Sequence, residues 1–243
     1  MTQAFLRPYA GLRVEDYRTK LTVTHNNKDL IFMHPAYGRG TYADVKAAIG
    51  KDSLRPPTMA ENASLIYAVF DSDCKYSVEI KDIMAEGWLW AFTGTLYVPN
   101  KGAFIQDDPK IRRGMPFMDR ESLEQKLNAK DPSVRFVRFG YQVGEMSFLK
   151  LAKNPYVIAL AGEEGAEKLA KALDKYKVKP FLQSFGSVDK ITTRVSALDF
   201  WNLGIGLDVD GDKHGGDLGG SAFGVFVEKA TEGGAKNSPA KNR

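Results

Sequence analysis

Leu54-Arg-Pro-Pro-Thr-Met-Ala-Glu-Asn62 is the stretch on which the fold turns. Thr58 and Glu61 stand at the S/T-x-x-E spacing of a capping box, in which the hydroxyl accepts the N3 amide and the carboxylate reaches back to the cap amide. Ala63, Ile66, Tyr67 and Phe70 follow at helical period, which predicts a helix over Met59–Phe70. Upstream, Thr41 caps a shorter helix running through Ile49. Two helices therefore flank the Arg-Pro-Pro turn.

Further toward the N-terminus, Leu21-Thr-Val-Thr-His25 and Leu30-Ile-Phe-Met33 are β-rich runs joined through Asn26-Asn27-Lys28, whose asparagines tolerate a left-handed turn. Toward the C-terminus, Trp88–Val98 reads as a strand with Ala103–Gln106 as its partner. Asp119 caps a helix to about Lys130. Val134–Phe139 and Tyr156–Leu160 read as strands, and Glu163–Lys177 as an amphipathic helix. Val178–Ser184 and Thr192–Leu198 are extended, and Ala222–Val227 is a strong closing strand. The expected class is α+β with mixed antiparallel strands. Residues 1–19 form an arm, 20–228 one domain, and 229–243 a Gly/Lys/Asn/Ser tail without the composition to pack.

Composition fits that reading. The chain has 243 residues, 43% hydrophobic, 11% aromatic and 26% charged, which excludes a disordered, collagen-like or coiled-coil chain. No apolar run approaches the 18 or so residues of a membrane span, and Met1-Thr-Gln-Ala-Phe-Leu-Arg-Pro8 has no secretory pattern; the expected location is cytoplasmic or virion-associated. The net charge of +4 is mild. Lys110-Ile-Arg-Arg-Gly114 and Val134-Arg-Phe-Val-Arg-Phe139 are read as a solvated rim and an ordinary strand, so no nucleic-acid partner is expected. No phosphate loop, dinucleotide fingerprint or G-x-S-x-G elbow occurs, and no cofactor is expected. His25 and His34 flank one hairpin and could face each other; structural roles are expected for both. Cys74, the only cysteine, sits in a polar turn as an incidental thiol.

Residues 199–221 differ in kind. Of these 23 residues, seven are Gly and five are Asp, yet Leu203, Ile205, Leu207 and Val209 alternate without a break. A period of two puts that apolar row on one face and Asn202, Gly204, Gly206, Asp208 and Asp210 on the other, which is expected to face outward. Asp208-Val-Asp210-Gly-Asp212 resembles the alternate aspartates of a calcium loop. Lys213 stands where an EF-hand has Gly, however, and Gly219 where it has Glu, and carboxylates along one face of a strand cannot encircle an ion, so no metal is expected.

The paired helices around Leu54–Asn62, together with Gly220-Ser-Ala-Phe-Gly-Val225, resemble formylglycine-generating-enzyme-like C-type lectin domains. There a helix leads into an Arg-Leu-Pro-Thr-x-x-Glu turn and a second helix, and a Gly-Phe-Arg-Val strand closes the fold. The catalytic branch relies on two cysteines, which this chain lacks, so no enzyme activity is carried over. The non-catalytic branch, the variable proteins of archaeal or viral diversity-generating retroelements, carries a hypervariable segment just before the closing strand. Randomised AAC codons become NNC, which encodes Asp, Gly, Ser, Asn and His but never Glu. The window holds 5 Asp and no Glu, against 13 Asp and 12 Glu elsewhere. The resemblance implies a protein that binds an unknown protein or surface ligand. Its binding surface would comprise Asp199, Phe200, Trp201, Asn202, Gly204, Gly206, Asp208, Asp210, Asp212, His214, Asp217 and Ser221, with Phe200 and Trp201 as aromatic anchors. The alternatives are a globular domain with a structural or calcium-binding Gly/Asp hairpin, and an enzyme that does not use cysteine.

Overall fold

The computed structural model describes residues 13–14, 20–201 and 206–226. The readings made for the rest of the arm, for Asn202–Ile205 and for the tail lie outside the described residues. In chain order the elements are β1 (Arg13–Val14), β2 (Lys20–His25), β3 (Lys28–Gly40), α1 (Tyr42–Lys51), α2 (Met59–Phe70), α3 (Lys75–Glu86), β4 (Trp88–Val98) and β5 (Gly102–Asp107). Then come β6 (Lys110–Arg112), β7 (Met115–Phe117), α4 (Arg120–Asn128), β8 (Val134–Arg138), β9 (Gly144–Glu145), α5 (Phe148–Ala152) and α6 (Pro155–Tyr176). The last four are β10 (Lys179–Gln183), β11 (Thr192–Trp201), β12 (Gly206–Lys213) and β13 (Gly220–Val225).

One large mixed sheet runs in the order β1-β2-β3-β13-β4-β11-β12-β10-β9, with β5 and β8 continuing from β4. The hairpin β6–β7 forms a separate two-stranded ribbon. Alternation along β4 sorts the two faces of the main sheet. Leu89 and Ala91 point into the main core with α2, α3 and α6, while Trp90 and Phe92 point the other way, onto Tyr42, Val45 and Ile49 of α1. The closing strand lies between β3 and β4, antiparallel to the first and parallel to the second.

The Leu54–Asn62 stretch acts as anticipated. The Thr58 hydroxyl accepts from the Glu61 amide at 3.3 Å, and Glu61 accepts from the Thr58 amide at 2.8 Å. Arg55 grips the same carboxylate with both terminal nitrogens, one at 2.7 Å. Its backbone exchanges two hydrogen bonds with Val225, which ties the turn to the closing strand. At the first hairpin, Asn26 and Asn27 have φ of 49° and 59°, so they alone make the turn and β3 begins at Lys28.

Two expectations need correction. Tyr156–Leu160 is helical, not extended: the Asn154 side chain caps it by accepting from the Tyr156 amide at 2.9 Å, and Pro155 occupies the first turn. A short unbroken apolar run has no periodicity to separate strand from helix. This turn joins the anticipated Glu163–Lys177 helix across a kink at Gly162, whose φ is 74°. Second, Cys74 lies not in a free turn but at the N-cap of α3, a helix not anticipated from sequence, which buries Tyr76, Ile80 and Met84.

Candidate functional site

β12 is an interior strand. β10 pairs with it in parallel, Lys179 opposite Gly206 through Gln183 opposite Asp210. β11 pairs on the other side, antiparallel, with Asp199 opposite Asp208 and Ala197 opposite Asp210. Leu207 and Val209 are fully buried in the main core beside Leu182 and Leu198, as their alternation predicts. Leu203 and Ile205 lie outside the described residues, as do Asn202 and Gly204.

The opposite row departs from expectation. Asp208 is half-buried, Gly206 is buried, and Asp210 is 0% exposed. Strands on both sides and a lysine laid across the row remove it from solvent. The Lys213 ammonium stands 2.9 Å from Asp199 Oδ2 and 3.4 Å from Asp210 Oδ2, and 4.5 Å from the centroid of the Trp88 ring. Such a contact joins ion pairing to cation–π attraction.

A β-bulge places Lys213 there. Ala197 faces Asp210 and Val195 faces Lys213, so Gly211 and Asp212 together oppose Ser196 alone. The extra residue shifts the alternation and returns Lys213 to the side of Asp208 and Asp210. Buried hydroxyls pin the bulge: the Gly211 carbonyl accepts from Tyr97 at 2.8 Å and from Tyr156 at 3.2 Å. Those two hydroxyls are 2.8 Å apart, and Ser184 lies 2.9 Å from Tyr97. A Cβ on Gly211 would meet the Tyr156 hydroxyl oxygen at 2.0 Å, so only glycine fits. The Asp212 amide closes the turn onto Asp210 Oδ1 at 2.8 Å.

Burial and the facing Asp199 charge push the Asp208 carboxyl up to about 7. Burial also raises Asp210, against the pull of Lys213. Burial pulls Lys213 down, but Asp199 and Asp210 outweigh it and hold the amine above its ordinary range. Asp208 Oδ1 and Trp88 Nε1 are buried without a hydrogen-bond partner among the described residues. Among those residues no three His, Cys, Asp or Glu side chains converge as metal ligands.

The segment after β12 crosses the Trp88 side of the sheet. Tyr42 donates its amide to Gly215 O at 3.1 Å, and Gly215 packs against Met115 and Pro116. His214 Nδ1 accepts from the Gly216 amide at 3.2 Å. The side chains of His214 and Asp217 are 55% and 46% exposed, and Leu218 is 74% exposed. Behind them, Gly219 lies on the Trp88 ring, and a Cβ on Gly220 would stand 2.1 Å from Trp90 Nε1. Ser221, expected on the surface, is buried in β13 opposite Leu89.

Phe200 is packed edge-to-face on Phe70 with ring centroids 5.9 Å apart, which makes it part of the core rim rather than a free anchor. The backbone of Trp201 pairs with Gly206. The two hairpin histidines do not meet: His25 bonds the Ser64 hydroxyl at 3.0 Å, and His34 bonds Glu79 at 2.8 Å. Cys74 Sγ lies 3.4 Å from Ser77 Oγ. Sequence reasoning missed Trp88, Lys213 and the tyrosine hydroxyls. Lys213 carried a signal as the only cation of the Gly/Asp window; the tyrosines are scattered along the chain and carried none.

No family model and no curated protein matches the sequence. In fold, the chain is similar to a solved structure, a nanoarchaeal protein described as accommodating massive sequence variation by the C-type lectin fold. The two superimpose with a TM-score of 0.54 at 16% sequence identity, over 79% of this chain and 98% of that one. This chain therefore has the C-type lectin fold, in its α+β arrangement of a mixed sheet and flanking helices.

Proposed function

We propose that this protein is a non-catalytic ligand-binding protein, with a binding surface built from the end of β12 and the 214–218 loop that can change in sequence while the scaffold stays fixed. The observation that carries the reading is the division of residues 206–221. Leu207, Val209, Asp210, Gly211, Gly219, Gly220 and Ser221 are buried or sterically confined, whereas His214, Asp217 and Leu218 project to solvent. Binding residues on loops held by a rigid frame are free to vary without loss of the core. The fold shared with a protein of massive sequence variation supports the reading, as does the exclusion of Glu from the Asp-rich window. Diversification would come from a retroelement that randomises template adenines. A single cysteine, Cys74, leaves the two-cysteine formylglycine chemistry without its reacting pair. The partner is a protein or a surface ligand.

The DNA beside the gene tests this directly. A near-copy of codons 194–227 that differs only at adenines, next to a reverse-transcriptase gene, is expected. Adjoining DNA with neither element would sink the diversified surface and leave a fixed one.

A further inference from the structure

The β6–β7 ribbon carries a second surface that the reading above does not use. Its turn is Arg113-Gly114, with φ of 53° and 76°, the geometry of a two-residue hairpin loop. Lys110 faces Phe117 and Arg112 faces Met115 across the pair, so Lys110, Arg112 and Phe117 share one face. Ile111, on the other face, packs with the Trp90 and Phe92 cluster and anchors the ribbon. Arg112 and Arg113 are exposed, and among the described residues no carboxylate lies within ion-pair distance of Lys110, Arg112 or Arg113. The Arg112 guanidinium stands 5.3 Å from the centroid of the Phe117 ring, which is itself 47% exposed. Beside this pair lies a cavity of about 350 Å³, open to solvent and lined by Arg112, Arg113, Pro116 and Phe117.

We propose that this cavity binds a phosphate monoester carried on a planar ring, an anion of mononucleotide size. Two adjacent guanidiniums offer planar forks of donors that match phosphate oxygens, and no carboxylate among the described residues pairs with them. Phe117 supplies an exposed apolar surface against which a ring can lie, and an aromatic face beside a guanidinium is suited to stacking. The cavity is open to solvent, so the phosphate would sit at the arginines and the ring against Phe117, with the rest of the ligand left in water. A nucleic-acid strand would need a cationic groove several nucleotides long, and Asp107 and Asp108 precede the ribbon directly.

Titration calorimetry on the full chain in low salt distinguishes the outcomes, with adenosine 5′-monophosphate, adenosine and a single-stranded oligothymidine as probes. The monophosphate is expected to bind roughly tenfold more tightly than adenosine, and Arg112→Ala and Arg113→Ala should each weaken it roughly tenfold, as loss of a charge-assisted contact does. Phe117→Ala should weaken the monophosphate and adenosine alike. Both arginines are exposed, so unchanged thermal melts are expected for these variants. Equal binding by the wild type and the double arginine variant, or no binding at all, overturns the proposal. Oligothymidine bound far more tightly than the monophosphate, with a steep salt dependence, overturns it in favour of a nucleic-acid surface. None of these residues belongs to β12 or the 214–218 loop, so failure here leaves the first surface standing, and the reverse.

Discussion

Asp199 and Asp208 face each other across an antiparallel pair, an arrangement in which like charges repel. Lys213 relieves part of this by bridging Asp199 and Asp210. The raised carboxyls of Asp208 and Asp210 hold protons that the unfolded chain, titrating near about 3.9, gives up. Their contribution to stability is therefore fully present below the unfolded value and is lost as pH rises through about 7. The domain is expected to melt at a higher temperature at about pH 5 than at about pH 8, and Asp208→Asn to flatten that slope. A wild-type melt that rises steadily toward pH 8, or an Asp208→Asn profile parallel to the wild type, would show that burial does not raise these carboxyls as described. The alternation of aspartates was legible in the sequence; their burial was not, because it depends on a lysine that only the bulge brings to their side.

At the scale of the element, β12 and α2 show what local pattern controls. The apolar row of β12 was legible from its period, and its cost is calculable: Leu207→Ala should destabilise by about 2–4 kcal/mol through lost burial and the cavity left behind. Phe223→Ala in β13 should cost about 3–5 kcal/mol. Thr58→Ala removes one arm of the capping box and should cost about 1 kcal/mol. Denaturant melts rank the three, and a Thr58→Ala loss as large as that of Leu207→Ala would mean that the turn does more than cap a helix. The bulge at Gly211 was not legible. It follows from hydroxyls at Tyr97 and Tyr156, which are 114 and 55 residues away in sequence. The first turn of α6 was misread for the opposite reason: Tyr156–Leu160 is an unbroken run of apolar and aromatic residues, with no polar side from which a period could be counted.

Across the whole molecule, the helices and core glycines hold one face of the window still while the side chains of His214, Asp217 and Leu218 stay in solvent. Substitutions of His214, Asp217 and Leu218 to Ser, Tyr or Asn should each shift stability by less than about 0.5 kcal/mol, as exposed positions do. If a combined loop variant unfolds as readily as Leu207→Ala, the loop is part of the scaffold and the variable-surface reading is wrong. Calcium gives an independent check. With the Lys213 ammonium between the carboxylates, no tight calcium binding to the 208–217 segment is expected. Calorimetric heats at micromolar calcium that Asp210→Ala removes would contradict this.

The sequence by itself determined what rests on near neighbours: the Thr58–Glu61 cap, the Asn26-Asn27 turn, the strands from Trp88 and Ala222, and the inward apolar row of β12, because each depends on residues within a turn or two. Only the tertiary structure decided which window residues reach solvent. Asp210 and Ser221 went inside and His214, Asp217 and Leu218 stayed out, because burial is set by strands and rings that arrive from distant parts of the chain: β10 beside β12, Trp88 and Trp90 beneath Gly219 and Gly220, and Tyr156 against Gly211.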